Sequence, residues 1–288
     1  MQTCKMKLTP SEISERRRFL RTHREQERLY FPRFRAALNR QFRRAAKQYE
    51  EQGFFDPSII STEDLEPIYR RLYTINTIRE ASREWRDNVK PALNQVMRRK
   101  DIIDDLAAFL GFGRDGSIIQ LWRELLQDFL NVRILTRIQR VNETTRNRIA
   151  ETIQDGINAG LAHRDIAKQI REAGKVNRVR AMAISRTEVS TAMNQGKYLA
   201  IQSSGLVYDK GWSAHADSRT RPDHLAMLDS DMIPLNADFI VGGEPMAYPG
   251  DPRGSAANVI NCRCSLVFRV RRDANGLPMR RSETIEAI

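Results

Sequence analysis

Residues 118–153 read IIQLWRELLQDFLNVRILTRIQRVNETTRNRIAETI and contain no proline. Apolar side chains, with one threonine, recur every three or four residues and would line one side of a helix: Ile118, Leu121, Trp122, Leu125, Leu126, Phe129, Val132, Leu135, Ile138, Val141, Thr145, Ile149 and Ile153. This spacing predicts one helix of about 36 residues, roughly 54 Å long. Helices of this length usually pack in a bundle or extend from a folded body, so we expect a predominantly helical protein.

Two further helices are predicted on the N-terminal side of this stretch. Residues 12–50 form a long, charged helix with a narrow, mostly apolar stripe: Phe19, Leu20, His23, Glu27, Tyr30, Phe34, Leu38 and Phe42. The segment 53–57 ends this helix, because glycine and proline interrupt helical structure. A second helix begins near Thr62 and carries five apolar residues at helical spacing: Leu65, Ile68, Leu72, Ile75 and Ile78.

On the C-terminal side, helices are predicted over 161–173 and 175–203. After Gly205 the helical period fades, Gly, Pro and Asp become frequent, and residues 264–270 are typical of a closing strand. We expect the last 15 or so residues to be polar and loosely ordered. The predicted fold class is α+β, with a long helical N-terminal region followed by a small mixed α/β C-terminal domain. The predicted divisions are a basic helical region (1–144), a domain that is helical to 204 and mixed from 205 (145–270), and a polar tail (271–288).

The net charge of +12 predicts attraction to polyanions, and this charge is unevenly placed. Residues 1–56 carry 14 basic and seven acidic groups, whereas residues 205–268 carry five basic and eight acidic groups. The basic helices, with their runs at 16–18 and 43–44, are therefore predicted to contact double-stranded DNA nonspecifically, in a salt-dependent way. The alternative is that these basic residues form a solvated helix face. The sequence contains no zinc-finger or helix-turn-helix signature that would indicate sequence-specific DNA recognition.

The membrane and redox predictions follow from the same composition. No stretch approaches the roughly 18 apolar residues of a membrane span, so no membrane partner is expected. Two of the three cysteines stand as Cys262-Arg-Cys264, and a disulfide across one residue would be strained. Reduced thiols in a cytoplasmic product are therefore expected.

The densest group of reactive side chains lies between Trp212 and Cys264. Imidazole and thiolate are ligands that Zn²⁺ prefers, and His224, Cys262 and Cys264 would supply three of them. His215 or Asp217 would be the fourth ligand. Residues i and i+2 of an extended strand share a face, which would direct both thiols to one side. Three uses stay open: buried polar and apolar contacts without metal, which is the favoured one, a structural zinc ion, or a catalytic metal.

A second candidate is Arg186-Thr-Glu188 with Asn194 two turns later. An arginine and a glutamate this close on a helix could face a nucleotide, but an ion pair or a capping contact within the protein is the favoured interpretation. The sequence contains no glycine-rich phosphate loop, and Gly242-Gly243 lacks the strand and helix that such a loop requires.

These motifs occur in an order that resembles phage head morphogenesis proteins of the Mu protein F type, over about residues 145–268. The motifs are the segment 160–167, Arg186-Thr-Glu188 with Asn194, Trp212, Asp217-x-Arg219-Thr-Arg221-x-x-His224, Asp238-Phe239, Pro249-Gly-Asp-Pro252 and Asn261-Cys-Arg-Cys264. Some family members carry His, Cys or Gly near the central motif, where this chain has Arg221 and Asp229-Ser230.

The resemblance implies a non-enzymatic minor capsid protein of a tailed phage or prophage. Such a protein would assist head assembly and DNA packaging or ejection through contacts with the portal protein, the capsid and scaffold interior, and DNA. It would reside in the virion, in the head interior or near the portal, after a period in the host cytoplasm during assembly. The main rival is an enzyme in the C-terminal domain, either a metal-dependent nuclease or an ADP-ribosyltransferase-like domain. A second rival is a chromosomally encoded, helical DNA-binding protein.

Overall fold

The computed structural model describes residues 7–97, 116–175 and 177–281. The α+β fold predicted from the sequence is confirmed. The α-helices in these residues are α1 (Pro10–Gln52), α2 (Glu66–Glu84), α3 (Lys90–Met97), α4 (Gly116–Phe129), α5 (Leu135–Asn158), α6 (His163–Lys175), α7 (Arg178–Gln202), α8 (Pro222–Ala226) and α9 (Ala256–Val259). None of the helices in the described ranges is long and apolar enough to cross a membrane.

The strands in the part of the chain that the structure describes all follow α7 and form two small antiparallel sheets. They are β1 (Tyr208–Ser213), β2 (Ile233–Pro234), β3 (Phe239–Val241), β4 (Glu244–Met246) and β5 (Ser265–Val270). The first sheet has the order β2–β1–β5, with Trp212 opposite Leu266, and the second is the β3–β4 hairpin. Because β5 lies at an edge of its sheet, one row of its backbone N–H and C=O groups must find partners outside the sheet.

The described residues form two compact units. One unit comprises the described parts of Met1–His23, Thr74–Leu126 and Val189–Ile288, and the other comprises Arg24–Tyr73 and Gln127–Glu188. Both units are therefore assembled from distant parts of the chain. The sequence divisions at residues 144 and 270 stay predictions.

The predicted long helix over 12–50 is confirmed as α1, and every residue of its predicted stripe is buried. In the unit that contains Arg24–Tyr73, α1 contributes Phe42 and Tyr49 to a core that α5 and α6 complete with Ile149, Ile166 and Ile170. Burying each of these large side chains contributes about 1.5–3 kcal/mol. The helix predicted from Thr62 begins four residues later, as α2.

The stretch 118–153 is helical but differs from its prediction of one uninterrupted helix. Its helix is interrupted by a π-helical turn, Leu130–Ile134, between α4 and α5, and it continues past Gly156 to Asn158. The buried side chains recur at intervals of four residues: Ile118, Trp122, Leu126, Leu130, Ile134 and Ile138. In a regular α-helix of 3.6 residues per turn, side chains four positions apart move progressively away from one face. The π turn contains more residues per turn and so returns the later side chains to the buried face. Leu125 and Val132, which were predicted on the buried side, are consequently 45% and 67% exposed.

The helices predicted over 161–173 and 175–203 are confirmed as α6 and α7, and the closing strand is confirmed as β5. The prediction of a loose C-terminal segment is wrong for the part that the structure describes. Asp273 accepts hydrogen bonds from the backbone N–H groups of Asn275 and Leu277, which closes a turn. This turn brings the N–H of Arg281 to the carbonyl of Gly205, 3.0 Å away. Residues 282–288 lie outside the described residues.

Candidate functional site

Three of the five predicted metal ligands lie together in the unit that contains the sheets. The His224 Nδ1 atom is 3.7 Å from Cys262 Sγ and 3.5 Å from Cys264 Sγ. All three side chains are buried, and their potential ligand atoms lie within 4.8 Å of one another. We call these three residues the His–Cys–Cys cluster.

Local structure explains how residues separated by 38 positions meet. His224 is in the first turn of α8. This helix begins with Pro222, and proline is favoured there because the backbone N–H at the first helical position has no partner within a helix. Cys262 follows Asn261, whose positive φ of 60° turns the chain after α9, and Cys264 directly precedes β5. Asparagine tolerates this left-handed conformation better than most residues.

A buried asparagine orients the imidazole of the cluster. Asn258 donates from Nδ2 to the carbonyl of Val241 at 3.1 Å, so its Oδ1 atom faces His224 Nε2 at 3.3 Å. Because this oxygen can only accept, Nε2 carries the hydrogen and the lone pair of a neutral ring is on Nδ1, toward the thiols. The edge of Trp212 packs on the same ring, with 5.4 Å between ring centroids and an interplanar angle of 90°.

The other two predicted ligands, His215 and Asp217, lie in a separate turn. Asp217 forms a bidentate ion pair with Arg263, at 2.6 and 2.8 Å, and a longer contact with Arg219 at 3.3 Å. The hydrogen bonds from Arg263 hold the pKa of Asp217 well below its usual range. His215 Nε2 lies 3.6 Å from this carboxylate. The Asp217 carboxylate is thus engaged by arginines, and neither residue belongs to the His–Cys–Cys cluster.

Arg221, three residues before His224, has a structural use. Its guanidinium donates to the carbonyl of Ile260 at 2.5 Å. This bond and the Asp217–Arg263 pair connect the segment before α8 with the segment before β5, on either side of the cluster.

Asn194 on α7 binds the free edge of β5. Its Nδ2 atom donates to the carbonyl of Cys264 at 2.9 Å, and its Oδ1 atom accepts from the N–H of Leu266 at 3.1 Å. Lys197, one turn later, donates to the carbonyl of Leu266 at 2.7 Å. These side chains take the place of a further strand, and we call the two residues the edge clamp. Sequence analysis did not predict the role of Lys197; its one signal is that polar residues recur every three positions at 191, 194 and 197.

Lys197 is buried against acidic groups. It forms an ion pair with Glu15 and lies 3.5 Å from an oxygen of Glu84. Burial disfavours the charged amine, but the two carboxylates outweigh it and raise the pKa of Lys197. Burial raises the pKa of Glu84 to about 7, against the opposing effect of Lys197.

The same helix holds the loop of the Pro249-Gly-Asp-Pro252 motif. Thr191 donates to the carbonyl of Gly250 at 3.0 Å, and a Cβ atom at Gly250 would lie 2.7 Å from the Thr191 hydroxyl. Asp251 accepts from the backbone N–H groups of Ala247 and Arg253 at 2.7 and 2.9 Å. The motif therefore builds a loop that docks on α7.

The position of α7 depends in turn on Gly196. A Cβ atom there would lie 2.3 Å from the backbone oxygen of Thr77 on α2. The Thr77 hydroxyl donates to the carbonyl of Ala192 at 3.1 Å. Glycine at 196 thus permits the close approach of α7, which carries the edge clamp, and α2, which carries the Lys197 partner Glu84.

Arg186 and Glu188, for which a contact within the protein was favoured over a nucleotide-facing role, do not pair with each other. In their unit, Arg186 binds Glu27 at 2.7 Å. Glu188 is buried and accepts from Tyr73 at 2.7 Å and from Arg137 at 2.9 Å. Both side chains are thus engaged in ion pairs within the protein.

Comparison with known proteins places these motifs in a family. The family described as Phage Mu protein F like protein matches residues 147–267. These 121 residues are similar to that family and make up less than half of the chain. The resemblance predicted over about 145–268 is confirmed, and we call the matched segment the Mu F-like region. It contains the His–Cys–Cys cluster, the edge clamp and the loop of the Pro249–Pro252 motif.

Two curated relatives are similar to the chain. The minor head protein GP7 of Bacillus phage SPP1 is 30% identical over 126 residues, which cover 42% of this chain and 40% of GP7. The protein YqbB of Bacillus subtilis (strain 168), described as uncharacterized, is 22% identical over 241 residues, which cover 81% of this chain and 70% of YqbB. No solved structure matches significantly.

Glu84 provides a pH-dependent test of the packing around the edge clamp. A carboxyl group whose pKa is higher in the folded than in the unfolded protein contributes stability that is fully present below its unfolded pKa, near 4.5, and is lost as the pH rises through about 7. Urea unfolding should therefore show that the wild type loses about 1–3 kcal/mol relative to Glu84→Gln between these pH values.

The exposed Glu151→Gln supplies the matched control, and its stability should follow the wild type at every pH. Parallel stability curves for the wild type and Glu84→Gln would show that Glu84 has no raised pKa in the folded protein.

Proposed function

We propose that this chain is a minor head protein of a tailed phage or prophage. It takes part in head assembly and in DNA packaging or ejection, through contacts with the portal protein, the capsid and scaffold interior, and DNA. The observation that carries the proposal is the match of the Mu F-like region, together with a relative that is named a minor head protein. The chain covers only 40% of that relative. The partner proteins and the steps of head assembly are therefore part of the proposal.

The burial of the His–Cys–Cys cluster supports a non-enzymatic role. A catalytic metal keeps one coordination position open to substrate or water. His224, Cys262 and Cys264 are only 1–2% exposed, and Trp212 packs on the imidazole. The nuclease and ADP-ribosyltransferase-like alternatives therefore have no accessible reactive group in this cluster.

The head role is tested by locating the protein in particles. The phage or induced prophage that encodes it should yield heads in which quantitative mass spectrometry finds the protein at far fewer copies than the major capsid protein. A lysate of cells lacking the gene should contain fewer filled heads, and the gene supplied in trans should restore them. Absence from both procapsids and virions, with normal head yield in the deletion, would contradict the proposal.

The portal contact has its own measurement. Co-expression with the portal protein of the same phage should yield a complex that survives gel filtration. The major capsid protein of that phage, expressed with the chain in the same way, tests the proposed contact with the capsid. Co-elution with neither protein would contradict the proposed contacts.

The DNA contact rests on the exposed basic side chains of α1. Arg17 and Arg21 stand one turn apart in the unit that contains the sheets, and both are exposed. The Mu F-like region after Gly205, with its excess of acidic groups, is poorly suited to phosphate binding. Each phosphate contact made by an arginine contributes about 0.9 to the slope of log affinity against log salt concentration.

Replacing these two arginines tests the contact. Arg17→Gln/Arg21→Gln should weaken binding to double-stranded DNA and lower the magnitude of the salt slope by up to about 1.8. Lys168→Gln/Arg280→Gln removes the same charge from two exposed positions elsewhere and should leave the slope unchanged. Affinity that is insensitive to salt, or an equal loss in both double variants, would contradict DNA binding through α1.

A further inference from the structure

The His–Cys–Cys cluster has the spacing of a tetrahedral metal site. Zinc bonds of about 2.3 Å to sulfur and 2.0–2.1 Å to nitrogen place ligand atoms about 3.5–3.8 Å apart at the tetrahedral angle. The two sulfur–nitrogen distances in the cluster are 3.7 and 3.5 Å. Both sulfur–nitrogen separations thus match those that a bound ion would impose.

The surroundings of His224 are those of a metal ligand. Metal-bound histidines usually donate their second ring N–H to a fixed acceptor, which sets the tautomer and the ring orientation. Asn258 supplies that acceptor, and its own orientation is fixed by the bond to Val241. The lone pair on Nδ1 therefore faces the two thiols without any rearrangement.

The positive charge nearest in sequence to the two cysteines is directed to a carboxylate. Arg263 stands between the two cysteines, but its guanidinium is engaged by Asp217 in a bidentate pair. Trp212 and Phe239 pack edge to face at 5.4 Å and form part of the apolar core around the cluster. A cation would supply the positive charge that two adjacent buried thiolates require.

We propose that His224, Cys262 and Cys264 bind one Zn²⁺ ion. The ion would connect α8 to the beginning of β5 and so close a loop of about 40 residues, which is a structural role. Neither His215 nor Asp217 is a ligand. This inference does not depend on the proposed head function, because it concerns the chemistry of the cluster alone.

The test measures metal content with matched histidine variants. Protein freshly purified without an affinity tag from zinc-supplemented cells should contain about one zinc per chain by inductively coupled plasma mass spectrometry. His215→Ala should retain that content, whereas His224→Ala and the double variant Cys262→Ser/Cys264→Ser should lose it at least tenfold. A wild type without stoichiometric metal, or equal losses in His215→Ala and His224→Ala, would overturn the proposal.

A spectroscopic measurement keeps the proposal testable if the ligand variants fail to fold. Wild-type protein loaded with Co²⁺ in place of zinc should show the thiolate-to-cobalt charge-transfer absorption and the intense visible bands of a tetrahedral site. His224→Cys, which replaces the imidazole by a third thiolate, should retain zinc and strengthen the charge-transfer band. Absence of that absorption in the cobalt-loaded wild type would show a metal-free cluster of thiols and imidazole, and would overturn the assignment.

Discussion

The side-chain amide of Asn194 satisfies the backbone of an edge strand inside the protein. Strand β5 pairs with β1 on one side only, so its other edge would leave buried N–H and C=O groups without partners. Asn194 bonds to Cys264 and Leu266, and Lys197 bonds to Leu266 again. Since an unsatisfied buried backbone group costs about 1–3 kcal/mol, the position of β5 against α7 depends on these two side chains.

The cluster and its supports follow from that constraint. Fixing the carbonyl of Cys264 fixes the short segment that carries both cysteines and Arg263, and so the direction of the Asp217 ion pair. The clamp itself requires α7 to approach α2, which Gly196 permits, and requires acidic partners for Lys197. The motifs by which the Mu F-like region is recognised are thus largely the parts that hold the C-terminal sheets on a helix.

Sequence reasoning succeeded where one local pattern determines burial. The stripe of α1 was predicted because its spacing persists for more than six turns, and the proximity of His224, Cys262 and Cys264 was predicted from their residue types and the i, i+2 cysteines. Prediction from the sequence failed where a structural feature depends on contacts between residues that are distant in the sequence. The edge clamp depends on which strand lies at a sheet edge, and the segment that ends at Arg281 is ordered by pairing with Gly205. The π turn at Leu130–Ile134 depends on which of several apolar side chains are buried in the core.

The side chain of Asn194 is the acceptor for the amide of Leu266, and native-state hydrogen exchange measures that bond directly. The Leu266 N–H should be strongly protected in the wild type and should exchange at least tenfold faster in Asn194→Ala, since 1.4 kcal/mol corresponds to a factor of ten. The amide of the next residue, Val267, serves as the internal reference because it lies on the opposite edge of the strand, beside β1. Unchanged protection of Leu266 in Asn194→Ala would contradict the edge clamp.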